Sequence, residues 1–226
     1  MATINSPKDL APFVQHTLIK TGVTRDEIVQ HAEEAAQYGF GAAMVPGSWV
    51  KEVASVLAGA EIEIASALDF PSVGVTTPLG KAKEAENLAK LGATQIDIGV
   101  QIGYLKSGMY DEFRDDIAGV VKAAGVPIKV MLELPLLTDK EKEIAVELSM
   151  DAGAKWLKNA SSGQIERATP ESVRYLVERV REGILVKASG SITEYEQAVS
   201  LIEAGASALG TSAGKRLILG AEGTSY

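Results

Sequence analysis

Two apolar runs in the chain stop on a lysine: AKWLKNASSG on Lys158 and EGILVKASGS on Lys187. A third run, ATQIDIGV, sets Asp97 between Ile96 and Ile98. A charge in a protein interior costs several kcal/mol unless paired. Asp97 could neutralise one lysine in a structural ion pair, yet two lysines against one aspartate leave an excess positive charge. That excess has a chemical use. A lysine is nucleophilic when its amine is neutral near pH 7, which requires lowering its pKa by roughly 3 units from about 10.4, or about 4 kcal/mol. A second ammonium about 5 Å away supplies roughly 3 kcal/mol at an effective dielectric near 20, and partial burial adds to it. One lysine would form a Schiff base whose iminium accepts electrons as a C–C bond is cleaved or formed. The other would hold its partner's pKa down, and Asp97 would relay protons through water. Spacing alone leaves open which lysine is which.

Two further segments suit an anionic substrate. ASGSIT, from Ala188 to Thr193, and GTSAG, from Gly210 to Gly214, are small, rich in Gly and Ser, and each precedes a helical pattern. Backbone N–H groups in such loops bind phosphate, although tight turns also use Gly and Ser for their own sake. VPIKVMLEL adds Lys129 and Glu133 on one face of a further strand.

These residues need a frame, and a repeated phrase supplies it: an amphipathic helical segment, a glycine, then a short apolar run. The glycines are Gly39, Gly59, Gly92, Gly125, Gly153, Gly183 and Gly205, at intervals of 20, 33, 33, 28, 30 and 22 residues. Each falls where a helix would stop, a position that often needs positive φ. Helix starts follow the strands after a gap. Thr24 with Glu27, Thr138 with Glu141 and Thr193 with Glu196 have capping-box spacing. Thr77-Pro78 and Thr169-Pro170 place a cap before a proline at the first helical position. FVQHTL, ahead of the first helix, supplies an eighth strand. The pattern predicts one domain over residues 1–226, an α/β fold built as a (β/α)8 TIM barrel, whose chemistry belongs at the carboxyl ends of its strands. An open doubly wound sheet would need a Gly-rich dinucleotide fingerprint or a P-loop after an early strand, and neither is present. If the two isoleucines beside Asp97 face the helices, alternation turns its carboxylate into the barrel.

Composition narrows the partners. The chain has 226 residues, 46% hydrophobic and 23% charged, with a net charge of −8, no cysteine and two histidines. Dispersed charge without a basic patch disfavours nucleic acid and anionic membranes. The cysteine and histidine counts argue against a disulfide framework, thiolate chemistry or a His-based metal site. MATINSPKDL lacks the pattern of a signal peptide, no run reaches membrane-span length, and a cytoplasmic location is the expectation. Trp49 and Trp156 read as packing residues, and a frayed end is expected for the tail ILGAEGTSY, which finishes on Tyr226.

Over nearly its whole length the chain resembles the deoxyribose-phosphate aldolases. VQHTLIK, ATQIDIGVQIGYLKSG, IKVMLELPLLTDKE, AKWLKNASSG, LVKASGSIT and GTSAG carry the resemblance, most specifically the lysine at two strand ends with the aspartate of IDIG. It implies a metal-free class I aldolase, without organic cofactor and commonly homodimeric, that joins acetaldehyde to glyceraldehyde 3-phosphate. By that match Lys158 would be the Schiff-base lysine, Lys187 its electrostatic partner and Asp97 the proton-relay acid. Gly190, Ser191, Gly210 and Ser212 would lie in the phosphate loops.

Several positions depart from the family pattern. Gln15 stands for an Asp, Pro46-Gly47 for Asn-Pro, Leu134-Pro135 for Thr-Gly, and Asn159-Ala160 for Thr-Ser. Pocket groups that hydrogen-bond a substrate hydroxyl discriminate strongly, so such swaps bear on the substrate more than on the reaction type. The alternatives are a related Schiff-base aldolase with a different aldehyde, and a non-catalytic barrel in which both lysines only bind a sugar phosphate. Asp97 argues against the last, because a carboxylate weakens an anion site. His16 reads as a structural contact.

Overall fold

Eight parallel strands close on one another in chain order in the computed structural model, which describes residues 4–220. They are β1 (Val14–Thr17), β2 (Ala42–Met44), β3 (Glu63–Leu68), β4 (Gln95–Gly99), β5 (Ile128–Met131), β6 (Trp156–Lys158), β7 (Leu185–Ser189) and β8 (Ala208–Thr211). Val14 and His16 of β1 pair with Leu209 and Thr211 of β8, which completes the ring. Around it run α1 (Arg25–Tyr38), α2 (Val50–Val56), α3 (Pro78–Leu91), α4 (Ile102–Lys106), α5 (Tyr110–Ala124), α6 (Asp139–Asp151), α7 (Pro170–Val177), α8 (Tyr195–Glu203) and α9 (Gly214–Leu219). The architecture is the (β/α)8 TIM barrel. Among the described residues no helix is long and apolar enough to cross a membrane. Tyr226 and the tail beyond Gly220 lie outside the described residues.

Local chemistry explains the joints. Gly39 and Gly92 end α1 and α3 at φ 67° and 111°, conformations that L side chains avoid, and the other five phrase glycines also have positive φ. The boxes at Thr24/Glu27 and Thr138/Glu141 form in full, and Thr77 and Thr169 cap helices that open on proline. The expected box at Thr193/Glu196 does not form. The chain is still turning there, with Gly190 and Ser191 at φ 123° and 47°, so α8 is entered from Glu194 and the Thr193 N–H donates to Gln197 Oε1 at 3.4 Å. Elsewhere a single cap is worth about 1 kcal/mol, so Thr138→Ala should lower unfolding free energy by about that amount in urea titrations, with m unchanged.

The interior of the barrel is lopsided. On β2 and β3 it is lined by Ala42, Met44 and Ala65, a small cluster apart from the main core. The larger apolar core lies between strands and helices, where Ile96, Ile98, Val130, Leu157, Val186 and Leu209 are almost fully buried. On β4 to β7 the inward positions instead carry charge.

Candidate active site

Asp97 is fully buried, and its carboxylate meets three ammonium groups rather than two. Lys187 Nζ lies 2.7 Å and Lys158 Nζ 3.2 Å from Oδ2, while Lys129 Nζ lies 3.3 Å from Oδ1. The strand register produces this cluster. Asp97 stands opposite Lys129 on β5, and Lys158 stands opposite Lys187 on β7. Because inward side chains alternate, each of four successive strands turns one charge to a common centre. The sequence shows Lys129 but not its place here, since pairing across β4 and β5 depends on barrel stagger.

Electrostatics follow from the count of charges. Burial by itself would raise the Asp97 pKa, but Lys187, Lys129 and Lys158 outweigh it and hold the carboxyl well below its ordinary range. For Lys187, burial together with repulsion from Lys158 and Lys129 exceeds the pull of Asp97, so its pKa falls well below that of a free lysine. Burial also lowers Lys129. Lys129 additionally sits 5.7 Å from the Trp156 ring centroid, which softens its confinement.

Above the cluster opens a cavity of about 270 Å³ lined by Asp97, Lys158 and Lys187 together with Gly190, Ser191, Gly210 and Ser212. All seven residues that the family resemblance places in the site therefore face one space. Lys129 is sealed beneath it. Phe70, Ser161, Ser189 and Thr193 complete much of the wall, and Lys20 stands at the rim. The two loops are shaped by contact. A Cβ on Gly190 would collide with the Glu166 carbonyl, and one on Gly210 would strike the Ser189 hydroxyl and, at 2.9 Å, the Lys187 side chain.

None of the seven substituted positions lines that cavity. The Gln15 carboxamide is buried and donates to Gln95 Oε1 at 2.9 Å. Leu134 and Pro135 form a tight turn behind Glu133, whose Oε1 accepts the Ser161 N–H at 2.9 Å. Asn159 and Ala160 are wholly buried, and Pro46 and Gly47 lie beyond β2. His16 faces away from the cavity as well. It stacks on His31 with centroids 4.2 Å apart and lies 3.5 Å from Glu34, and burial brings the two imidazoles down to about 4 and about 3.

A second buried ion cluster, which sequence spacing does not reveal, braces the mouth. Lys81 of α3 donates to Asp116 of α5 at 2.7 Å and to the Gly99 carbonyl at 2.8 Å, with Asp69 at 3.3 Å. Asp69 in turn accepts the N–H groups of Gly74, Val75 and Thr76. Burial would raise the Asp69 pKa, but those bonds and Lys81 hold it low. Phe70, which reaches the cavity, is the next residue in the chain.

With this geometry in hand, comparison with known proteins is specific. No protein-family model matches the chain. It is 39% identical to the deoxyribose-phosphate aldolase of Methanothermobacter thermautotrophicus over 218 residues, covering 96% of this chain and 97% of that protein. The enzyme of that name from Staphylococcus carnosus is also 39% identical over 218 residues, covering 96% and 99%. Among solved structures, the tetrameric deoxyribose phosphate aldolase of Aeropyrum pernix superposes with a TM-score of 0.87 at 29% identity, over 96% of this chain and 92% of that one.

Proposed function

The chain belongs to the deoxyribose-phosphate aldolase family of lyases, and from that premise we propose that Lys158 is the Schiff-base lysine of a reversible cleavage. The substrate is 2-deoxy-D-ribose 5-phosphate, and the products are acetaldehyde and D-glyceraldehyde 3-phosphate. The observation that carries the assignment is that one oxygen, Asp97 Oδ2, touches both Lys158 and Lys187 at the floor of the cavity.

The roles divide by access and charge. Lys187 is the more deeply enclosed and supplies the neighbouring positive charge, while Asp97, which touches both amines, relays the Lys158 proton to water. The freed Lys158 amine attacks the open-chain aldehyde, and loss of water gives the iminium. The C3 hydroxyl then gives up its proton and the C2–C3 bond breaks. Its electron pair moves into the enamine of acetaldehyde while C3 becomes the aldehyde of glyceraldehyde 3-phosphate. Protonation at C2 and hydrolysis release acetaldehyde and restore the amine. Gly190, Ser191, Gly210 and Ser212 hold the phosphate through backbone N–H groups and hydroxyls. The whole chain acting as one domain, self-association as a homodimer and a cytoplasmic site of action belong to the same reading.

Acetaldehyde and borohydride, followed by peptide mass spectrometry, test it. The reduced adduct is expected on Lys158 in the unaltered protein. A folded protein that carries no adduct on either lysine would remove the covalent mechanism and leave a sugar-phosphate binder.

A further inference from the structure

Asn159 follows Lys158 directly and is completely buried, yet its carboxamide is turned to the neighbouring strand end and not to the cavity. Its Oδ1 accepts the Ser189 N–H at 2.8 Å, and its Nδ2 donates to the Ser189 carbonyl at 3.0 Å. The second Nδ2 hydrogen goes to Glu166 Oε2 at 2.8 Å. A side-chain amide here plays the part of a peptide group: it adds a rung between the ends of β6 and β7 where the backbone ladder has stopped at Lys158 and Lys187. Both N–H donors are engaged, and the oxygen accepts from Ser189.

Around that rung two cavity walls are locked together. The Ala168 N–H donates to the Gly190 carbonyl at 2.8 Å, and Gln197 Nε2 donates to the Ala168 carbonyl at 3.2 Å. Gly163 lies so close to Ser191 that a Cβ would collide with its hydroxyl, just as Gly190 is pressed against Glu166. The segment that leaves Lys158 is therefore fastened, through Asn159 and Glu166, to the loop that carries Gly190 and Ser191.

We propose that Asn159, with Glu166, is a positioning device that fixes the distance between the carbonyl-binding lysine and the phosphate-binding loop, and so selects aldehydes of one length that end in phosphate. The inference rests on the Schiff-base reading above and adds a residue that touches neither substrate nor reacting atoms. Its logic is geometric: a substrate held at both ends feels a change in their separation, whereas one held only at its carbonyl does not.

The test compares cleavage of 2-deoxyribose 5-phosphate with that of unphosphorylated 2-deoxyribose in Asn159→Ala, Glu166→Ala and Glu166→Gln, with borohydride trapping of acetaldehyde run alongside. Asn159→Ala and Glu166→Ala should each lower kcat/KM for the phosphorylated substrate about tenfold, mainly through KM, and change the value for deoxyribose less than about threefold. Glu166→Gln, whose carbonyl oxygen still accepts from Nδ2, should retain the ratio of the two substrates. Equal losses on both substrates, or no loss on either with the variants folded by circular dichroism, would overturn the proposal. Should Asn159→Ala fail to fold, Glu166→Ala alone decides it by the same ratio. If the unaltered protein traps no acetaldehyde on Lys158, the underlying mechanism is at fault and not the role of Asn159.

Discussion

Lys158→Leu should leave a folded protein with turnover reduced by roughly 10⁴-fold or more, equivalent to about 5.5 kcal/mol of transition-state stabilisation. The substitution removes the most exposed amine of the cluster, since Lys158 is 6% and Lys187 1% exposed and Lys129 is sealed. Stability should move the other way. Three ammonium groups surround one carboxylate, so deleting one relieves repulsion and desolvation while the Asp97 charge keeps two partners. Thermal unfolding at pH 7 should therefore show a midpoint equal to or above that of the unaltered protein, a trade of stability against activity. A large drop in midpoint would mean that Lys158 is chiefly a structural counter-ion. Residual turnover within about tenfold would move the nucleophile to Lys187.

Asp97→Asn should lower stability as well as turnover. It strands three amines around a neutral amide, and breaking a buried pair in this way costs about 3–5 kcal/mol. The proton relay also goes, which should lower kcat by about 10²-fold or more. The pH dependence identifies the cause. In the unaltered protein the folded Asp97 pKa lies below its ordinary value of 3.8, so its stabilisation is present above that pH and is lost as pH falls through the lower folded value. The variant lacks that acid loss. Lys187 and Lys129 have folded pKa values below the unfolded value of 10.5, so between the two the unfolded chain binds more protons and stability rises with pH. Without the carboxylate that window widens downward. Urea midpoints of the variant should accordingly climb between pH 6 and pH 10 more steeply than those of the unaltered protein; parallel curves would show that Asp97 does not hold up the lysine pKa values as the geometry requires.

Much of this was legible in the chain because its signals are local. A glycine after each helix, a threonine three residues ahead of a glutamate and an ammonium at the end of an apolar run all lie within one window of sequence. Thr193 marks the limit of such signals. Its spacing to Glu196 is that of a capping box, but the positive-φ turn at Gly190 and Ser191 delays the helix, and only the conformation of the loop reveals it. Lys129 marks a second limit, since its meeting with Asp97 is set by strand stagger. Lys81 lies 35 residues from Asp116 and 12 from Asp69, on elements whose docking no periodicity specifies. The substituted positions mark a third. Asn159 reads as an altered pocket residue, yet it is spent on joining two strand ends.

The seven glycines of the repeated phrase act as punctuation. They stand 20 to 33 residues apart in the sequence, yet each following strand begins two to four residues later, from Gly183 before Leu185 to Gly59 before Glu63. Variation in unit length is thus absorbed upstream, in helices and in the loops that open onto the cavity, while the opposite rim keeps a nearly constant metre. Inserted residues on the cavity side would be reset at the next glycine before they reached the following strand. The same insertion between a glycine and its strand would shift every inward side chain outward and scatter the four charges. Evolution can therefore lengthen what greets the substrate without disturbing the phase of what reacts with it.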